Sequence, residues 1–243
     1  MNNKETFASL IESFESHHDL TTVFNDFLTL AIGLLGCNPL TRAKWDHSHY
    51  LRTFEKYHMD PLKSHFPKML SSLTREMTER QLRNEDNDVL GEFYDLRLRN
   101  PRDKKLFIPY PDSKLMARSA IREAQMDFSG TTFHIVDFAC GSGRVLVSAS
   151  KERNNRDHYF GIDSNHTFVR MAALNLFLNG VFNSEVMCSS EKEQDDCNVI
   201  YIISSMPCGI FQIDEKEKSF IWNLLSKYKR VPDLFRVRKQ NLN

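Results

Sequence analysis

The residues with the clearest chemistry lie in Phe133-His134-Ile135-Val136-Asp137-Phe138-Ala139-Cys140-Gly141-Ser142-Gly143-Arg144-Val145-Leu146-Val147. This reads as a strand, a turn of small residues and a helix. Gly141 and Gly143 permit a tight turn and a close backbone approach to a ligand, beside free N–H groups at a helix start. Asp137 ends the strand, where its carboxylate could reach a cationic ligand group. Twenty residues beyond Gly143, Tyr159-Phe160-Gly161-Ile162 reads as the next strand and ends in Asp163. At that spacing a carboxylate accepts hydrogen bonds from the ribose hydroxyls of an adenosine cofactor. A lone Gly-x-Gly turn is most often only a tight connection, so the weight falls on the pair of motifs. Leu146 stands where a dinucleotide fingerprint has its third glycine, which favours a cofactor without a pyrophosphate, such as S-adenosylmethionine (SAM).

Those residues need a sheet to hold them. Apolar runs at Thr132–Phe138, His158–Ile162, Glu185–Cys188 and Val199–Ile203 read as strands. They alternate with helices at about 143–153, 165–178 and 215–228. That alternation implies an α/β fold, a mostly parallel sheet with helices on both faces. A further helix runs from a cap at Asp112-Ser113 to about Gln125. Residues 1–100 read as an all-helical N-terminal domain. Its clearest stripe is Leu20, Val23, Phe24, Phe27, Leu28, Ala31, Leu34 and Leu35, with Thr21 or Thr22 as cap and Gly36 as stop. Shorter amphipathic stretches follow at 48–58, 69–83 and 87–98, separated by Pro61, Pro67 and a polar run. Residues 101–243 form the second domain, entered through a hinge that carries Pro101, Pro109 and Pro111.

Composition bounds the partners. With 32 basic and 32 acidic residues among 243 the formal charge is zero, which excludes a histone-like polycation but not a local basic patch. From Leu225 to Asn243, Lys227, Lys229, Arg230, Arg236, Arg238 and Lys239 face only Asp233, a local charge of +5. Such a stretch could bind DNA phosphates in a salt-dependent manner, although a charged terminus is also common in any soluble chain. No signal peptide is read at Met1-Asn2-Asn3-Lys4. The longest apolar run, Phe27 to Cys37, falls well short of the roughly 20 residues of a membrane span. A soluble, cytoplasmic protein is expected. The cysteines at 37, 140, 188, 197 and 208 contain no CxxC pair, so no metal site is expected and the thiols read as reduced.

Asp137-Phe138-Ala139-Cys140-Gly141-Ser142-Gly143 resembles the SAM motif of the N6-adenine DNA methylases, usually Asp-Pro-x-Cys-Gly-Ser-Gly. The likeness is nearest to the modification subunits of type I restriction systems and their phage and mobile-element relatives. Asp88-Val89-Leu90-Gly91-Glu92-Phe93-Tyr94 resembles the family's helix before the cofactor segment. Lys105-Leu106-Phe107-Ile108-Pro109-Tyr110 is similar to its Gly-Gln-Phe-Phe-Thr-Pro segment. Tyr159 to Asp163, followed by Met171-Ala172-Ala173-Leu174-Asn175-Leu176, resembles its second motif and following helix.

The resemblance covers roughly residues 88–205. It implies a SAM-dependent methyltransferase fold, a Rossmann-like parallel sheet truncated here after the fourth strand. It also implies that Asp137, Ala139, Gly141 and Gly143 hold the methionine part of SAM, Asp163 the ribose, and Phe107 and Pro109 the closing segment. Ser190 stands where the family has an acid or amide against the adenine. A bacterial, phage or mobile-element origin follows from the likeness alone.

The family's catalytic motif is Asn/Asp-Pro-Pro-Tyr/Phe at the end of the fourth strand. Its side-chain oxygen and a proline carbonyl accept from the adenine amino group, and its ring stacks on the flipped base. Here the sequence is Met206-Pro207-Cys208-Gly209-Ile210-Phe211. A thioether is a weak acceptor and glycine cannot stack, leaving Pro207 and, two positions on, Phe211. Pro207-Cys208 also resembles the Pro-Cys of C5-cytosine methyltransferases, whose thiolate attacks the base. The favoured reading of Cys208 is a small residue in a strand-end loop. Two activity states are therefore expected: a SAM-dependent adenine methylase weak or inactive alone, or a non-catalytic scaffold, partner subunit or inhibitor of a DNA-modification complex. A homo-oligomer is equally compatible with the sequence.

Overall fold

A computed structural model describes residues 5–36, 47–100, 107–127, 132–153, 157–189, 199–213 and 215–227. The chain divides into two compact units, Met1–Phe107 and Ile108–Asn243. Ser190, Cys37, Cys197 and the cations Lys229, Arg230, Arg236, Arg238 and Lys239 lie outside the described residues. Among the described residues no helix is long and apolar enough to cross a membrane.

The first unit is helical: α1 (Phe7–Glu12), α2 (Leu20–Gly36), α3 (His47–Lys56), α4 (His65–Leu82) and α5 (Val89–Phe93), which continues as a π-helical turn over Tyr94–Leu98. Thr6 and Ser9 form a reciprocal capping box at α1, and Glu76 on α4 accepts the Phe7 N–H at 2.6 Å. The α2 stripe buries Val23, Phe24, Phe27, Leu28 and Ala31, but Leu34 is 54% exposed. The cap of α2 is Asp19 rather than either threonine, because the helix begins at Leu20, before both of them. Asp19 Oδ2 accepts the Thr22 N–H at 2.8 Å, and that bond holds the carboxyl below its ordinary range. Pro67 does not separate helices: it sits in the first turn of α4, where no intrahelical N–H is required. Phe14, Tyr57 and Phe66 pack edge-on or tilted at 4.7–6.1 Å in this unit's core.

The second unit is α/β. Its elements are α6 (Tyr110–Asp127), β1 (His134–Asp137), α7 (Arg144–Glu152), β2 (His158–Asp163), α8 (His166–Leu178), β3 (Ser184–Cys188), β4 (Val199–Ser205), β5 (Cys208–Ile213) and α9 (Phe220–Lys227). The sheet order is β1-β2-β3-β4-β5. β1, β2 and β3 pair in parallel, with Asp137 opposite Gly161 and Asp163 opposite Cys188. The expected truncation after the fourth strand and the mostly parallel sheet need correction. A fifth strand is present, and β4 runs antiparallel to both β3 and β5. Residues 189–198, ten in all, join β3 to β4, whereas a parallel neighbour takes a crossover of a dozen or more.

Strand alternation sends Phe160, Ile162, Glu185 and Met187 to one face and Tyr159, Gly161 and Asp163 to the other. The first face packs Phe160, Ile162, Met187 and Ile200 against Ile221 of α9, with Val136, Phe138 and Trp222 at the margin. Glu185, buried on that face, accepts from Ser219 Oγ at 2.8 Å and from the N–H groups of Phe220 and Ile221 at 3.1 Å. A carboxylate from β3 thus satisfies the open N–H groups at the start of α9. Glu185→Leu removes three acceptor contacts at once. Urea unfolding followed by Trp222 fluorescence is expected to read a loss of about 2–3 kcal/mol, and Glu185→Gln a smaller one.

His134 on β1 stacks on Phe220 at 4.9 Å and on its register partner His158 at 5.2 Å. Burial first, and the charge of His158 second, hold the His134 pKa below its ordinary 6.5, against an opposing pull from Asp157. A histidine depressed in the folded state binds fewer protons there than when unfolded. Its contribution is therefore complete above the unfolded value and is lost as pH falls through it towards the folded one. His134→Gln is expected to flatten the fall in thermal stability between about pH 7 and 5, measured by calorimetry.

Candidate functional site

At the C-terminal ends of β1 and β2 the chain closes a loop on itself. Asp137 Oδ1 accepts the Ala139 N–H at 3.1 Å, turning the chain out of β1. The Cys140 N–H donates to the Ile162 carbonyl at 3.0 Å, so the loop adds one more rung beside β2. Gly143 N–H then donates back to Cys140 C=O at 2.8 Å. Gly141 and Gly143 take φ of 53° and 81°, the left-handed region that disfavours side chains. Gly143 is constrained twice, since a Cβ there would also lie 3.2 Å from the Cα and Cβ of Ala172 on α8.

Asp163 binds the loop from the next strand. Its Oδ2 accepts the Gly141 N–H at 3.0 Å, and its Oδ1 accepts the Asn165 N–H at 2.9 Å just before α8. Gly161, two residues earlier, lets Cys140 settle on the sheet: a Cβ there would stand 3.0 Å from the Cys140 sulfur and 3.2 Å from Leu146. Burial, reinforced by the negative charges of Asp137 and Asp163, pushes the Cys140 thiol well above its ordinary range. Cys140 is therefore a packing residue and a poor nucleophile.

Two further residues brace the loop. Asn175 on α8 donates from Nδ2 to the Ser142 carbonyl at 2.9 Å. Arg144, first in α7, donates from Nη1 to the Ile108 carbonyl at 2.8 Å, tying the start of this unit to the loop. Pro109 beside it is exposed. Phe107 belongs to the first unit, buried with its ring 6.0 Å from that of Tyr94.

The structure therefore brings Asp137, Ala139, Gly141, Gly143 and Asp163 together. The Gly141 N–H is bonded to Asp163 on the next strand, and the Gly143 N–H to the Cys140 carbonyl within the loop. A phosphate would need such donors. A ligand bearing hydroxyls and an ammonium group needs acceptors, which the half-exposed carboxylates of Asp137 and Asp163 supply. Asn175 and Arg144 were not singled out from sequence as site residues. The available signal was an amide inside the apolar run Met171–Leu178.

The segment Met206–Phe211 is not brought to this loop. Cys188 pairs with Val199 beside the loop end of the sheet, and Ser184 with Ile203 towards the other end. Met206 and Pro207 form the two-residue turn of the β4–β5 hairpin, beyond the Ser205–Cys208 pair. At about 3.3 Å per residue, the seven steps from Val199 to Met206 carry the turn on the order of 20 Å from the loop end. Met206 is 90% exposed, Cys208 is exposed, and Phe211 is half-buried opposite Ile202.

Residues 85–222 match the family model described as N-6 DNA Methylase. The chain is 25% identical over 134 residues to the type I restriction enzyme MpnII methylase subunit of Mycoplasma pneumoniae. That alignment takes in 48% of this chain and 24% of the relative, so the chain spans about a quarter of that relative's length. The crystal structure of a type I restriction-modification methyltransferase subunit from Streptococcus thermophilus aligns over 78% of this chain and 57% of its own, at 16% identity and a TM-score of 0.35. So weak a superposition adds nothing to the fold assignment, which rests on the strands and helices themselves. The family match spans more than half of the sequence and contains the whole glycine loop, both acidic strand ends and the β4–β5 hairpin: the chain belongs to the N-6 DNA methylase family.

Proposed function

We propose that this chain binds SAM at the glycine loop and transfers no methyl group by itself, serving as a partner subunit in adenine-specific DNA modification. SAM, when bound, supplies an electrophilic methyl group on a sulfonium. Asp163 would accept from the ribose hydroxyls through the lone pairs its two backbone bonds leave open, and Asp137 would face the methionine ammonium. Gly141 and Gly143 hold the loop's turn at positive φ. Ser190, at the family's adenine-contacting position, is assigned by sequence alone.

The observation that carries the non-catalytic reading is the position of the Met206–Phe211 segment. Transfer needs the reacting atoms about 3–3.5 Å apart, and a hairpin turn on the order of 20 Å from the loop end cannot present a base to a methyl group there. The residue types agree. Met206 offers only a thioether where the family accepts from the adenine amino group. The DNA component of the proposal rests on family membership and on the charge of the stretch from Lys227 to Lys239, a phosphate-binding composition.

Calorimetric titration tests the cofactor half. Wild-type protein is expected to bind SAM, and Asp163→Ala to bind it at least about tenfold more weakly, about 1.4 kcal/mol. Absence of binding by wild type, or equal affinity in the variant, would sink the assignment. Radiolabelled methyl transfer to mixed-sequence DNA tests the other half. The purified chain is expected to incorporate no label above background, and sustained turnover abolished by Pro207→Ala would overturn the non-catalytic reading.

A further inference from the structure

We infer that Asn175 is a positioning residue for the cofactor loop, an inference that rests on the SAM-binding reading above. Asn175 is only 2% exposed, in a helix whose neighbouring Ala173, Leu174 and Leu176 are fully buried. An amide there is costly unless hydrogen-bonded, and asparagine is a poor helix former. Its Nδ2 donates to the carbonyl of Ser142, itself 1% exposed, at 2.9 Å.

That carbonyl shares a peptide plane with the Gly143 N–H, which donates to Cys140 C=O at 2.8 Å. Both ends of the Ser142–Gly143 peptide are therefore pinned, one from within the loop and one from α8. The peptide cannot rotate without breaking both bonds, and its orientation accompanies the positive φ of Gly143. One turn earlier on α8, Ala172 fills the space where a Gly143 side chain would stand. The helix thus meets the loop at two successive turns, by contact at Ala172 and by hydrogen bond at Asn175. Asn175 touches no ligand itself. It presents the Gly141-Ser142-Gly143 backbone in one conformation, so the cofactor meets an ordered surface.

The test compares Asn175→Asp and Asn175→Ala, which remove the amide donor, with Leu174→Ala, a buried truncation on the same helix. SAM affinity is read by calorimetry, stability by thermal unfolding, and loop order by hydrogen exchange at the Gly143 amide. Both Asn175 variants are expected to bind SAM at least about tenfold more weakly and to exchange the Gly143 amide faster without ligand. Leu174→Ala is expected to lower the melting temperature while keeping wild-type affinity. Wild-type affinity in the folded Asn175 variants, or equal weakening in Leu174→Ala, overturns the inference and leaves Asn175 merely structural. A wild type that binds no SAM overturns the cofactor reading, whereas unchanged Gly143 exchange in the Asn175 variants overturns the positioning role, so the two failures are distinguishable.

Discussion

Much of the second unit hangs on one residue, Asp163. Its two carboxylate oxygens accept the Gly141 and Asn165 N–H groups, and its backbone carbonyl accepts the Ser189 N–H at 3.0 Å. A single position thereby joins the loop after β1, the start of α8 and the chain leaving β3. Hydrogen bonds of this kind, ionised acceptor to backbone donor, are stronger than neutral ones. One of them occupies the Gly141 N–H, a donor of the kind a glycine loop offers to an anion. The half-exposed carboxylates of Asp137 and Asp163 add acceptor chemistry beside it.

The direction of the chain after β3 is the other determinant. Ten residues bring it back antiparallel, and the next strand returns at once through a two-residue turn. The turn consequently lies at the end of the sheet from which β1, β2 and β3 depart. Cofactor residues and hairpin residues are each well placed by their own elements, yet the two sets occupy opposite ends of one sheet. This separation, more than any single substitution, is what the proposed non-catalytic reading rests on.

Much of this was legible in the sequence, and the exceptions have physical causes. Small residues between an acidic strand end and an apolar helix specify a Gly-x-Gly turn wherever they occur, so Asp137 to Gly143 could be read directly. The carboxylate at Asp163 was legible because strand length and helix length set its spacing. Strand direction was not legible. Val199–Ser205 is apolar enough to lie in a sheet either way, and direction follows from the length of the preceding connection. β5 went unread because Pro207 and Gly209 interrupt the strand pattern and resemble a loop. In the first unit, Asp19 took the capping role expected of Thr21 or Thr22, since the helix start depends on which side chain reaches an N–H. Asn175 was hidden for a similar reason: its partner is 33 residues away in sequence, and only packing reveals it.

The hairpin geometry bears equally on Cys208. A cysteine nucleophile acting on a base must work beside the methyl donor, as an adenine-binding motif must, and both would have to reach the loop end of the sheet. Cys208 pairs with Ser205 next to the turn, so the separation that isolates Met206 isolates its sulfur as well. Cys140, the thiol that does lie in the loop, is buried under Gly161 and held protonated by burial and two nearby carboxylates. One thiol has exposure without proximity, and the other has proximity without reactivity. Neither is placed to supply covalent chemistry at the loop, and the ligand-recognition role proposed above falls to Asp137 and Asp163 rather than to a thiol.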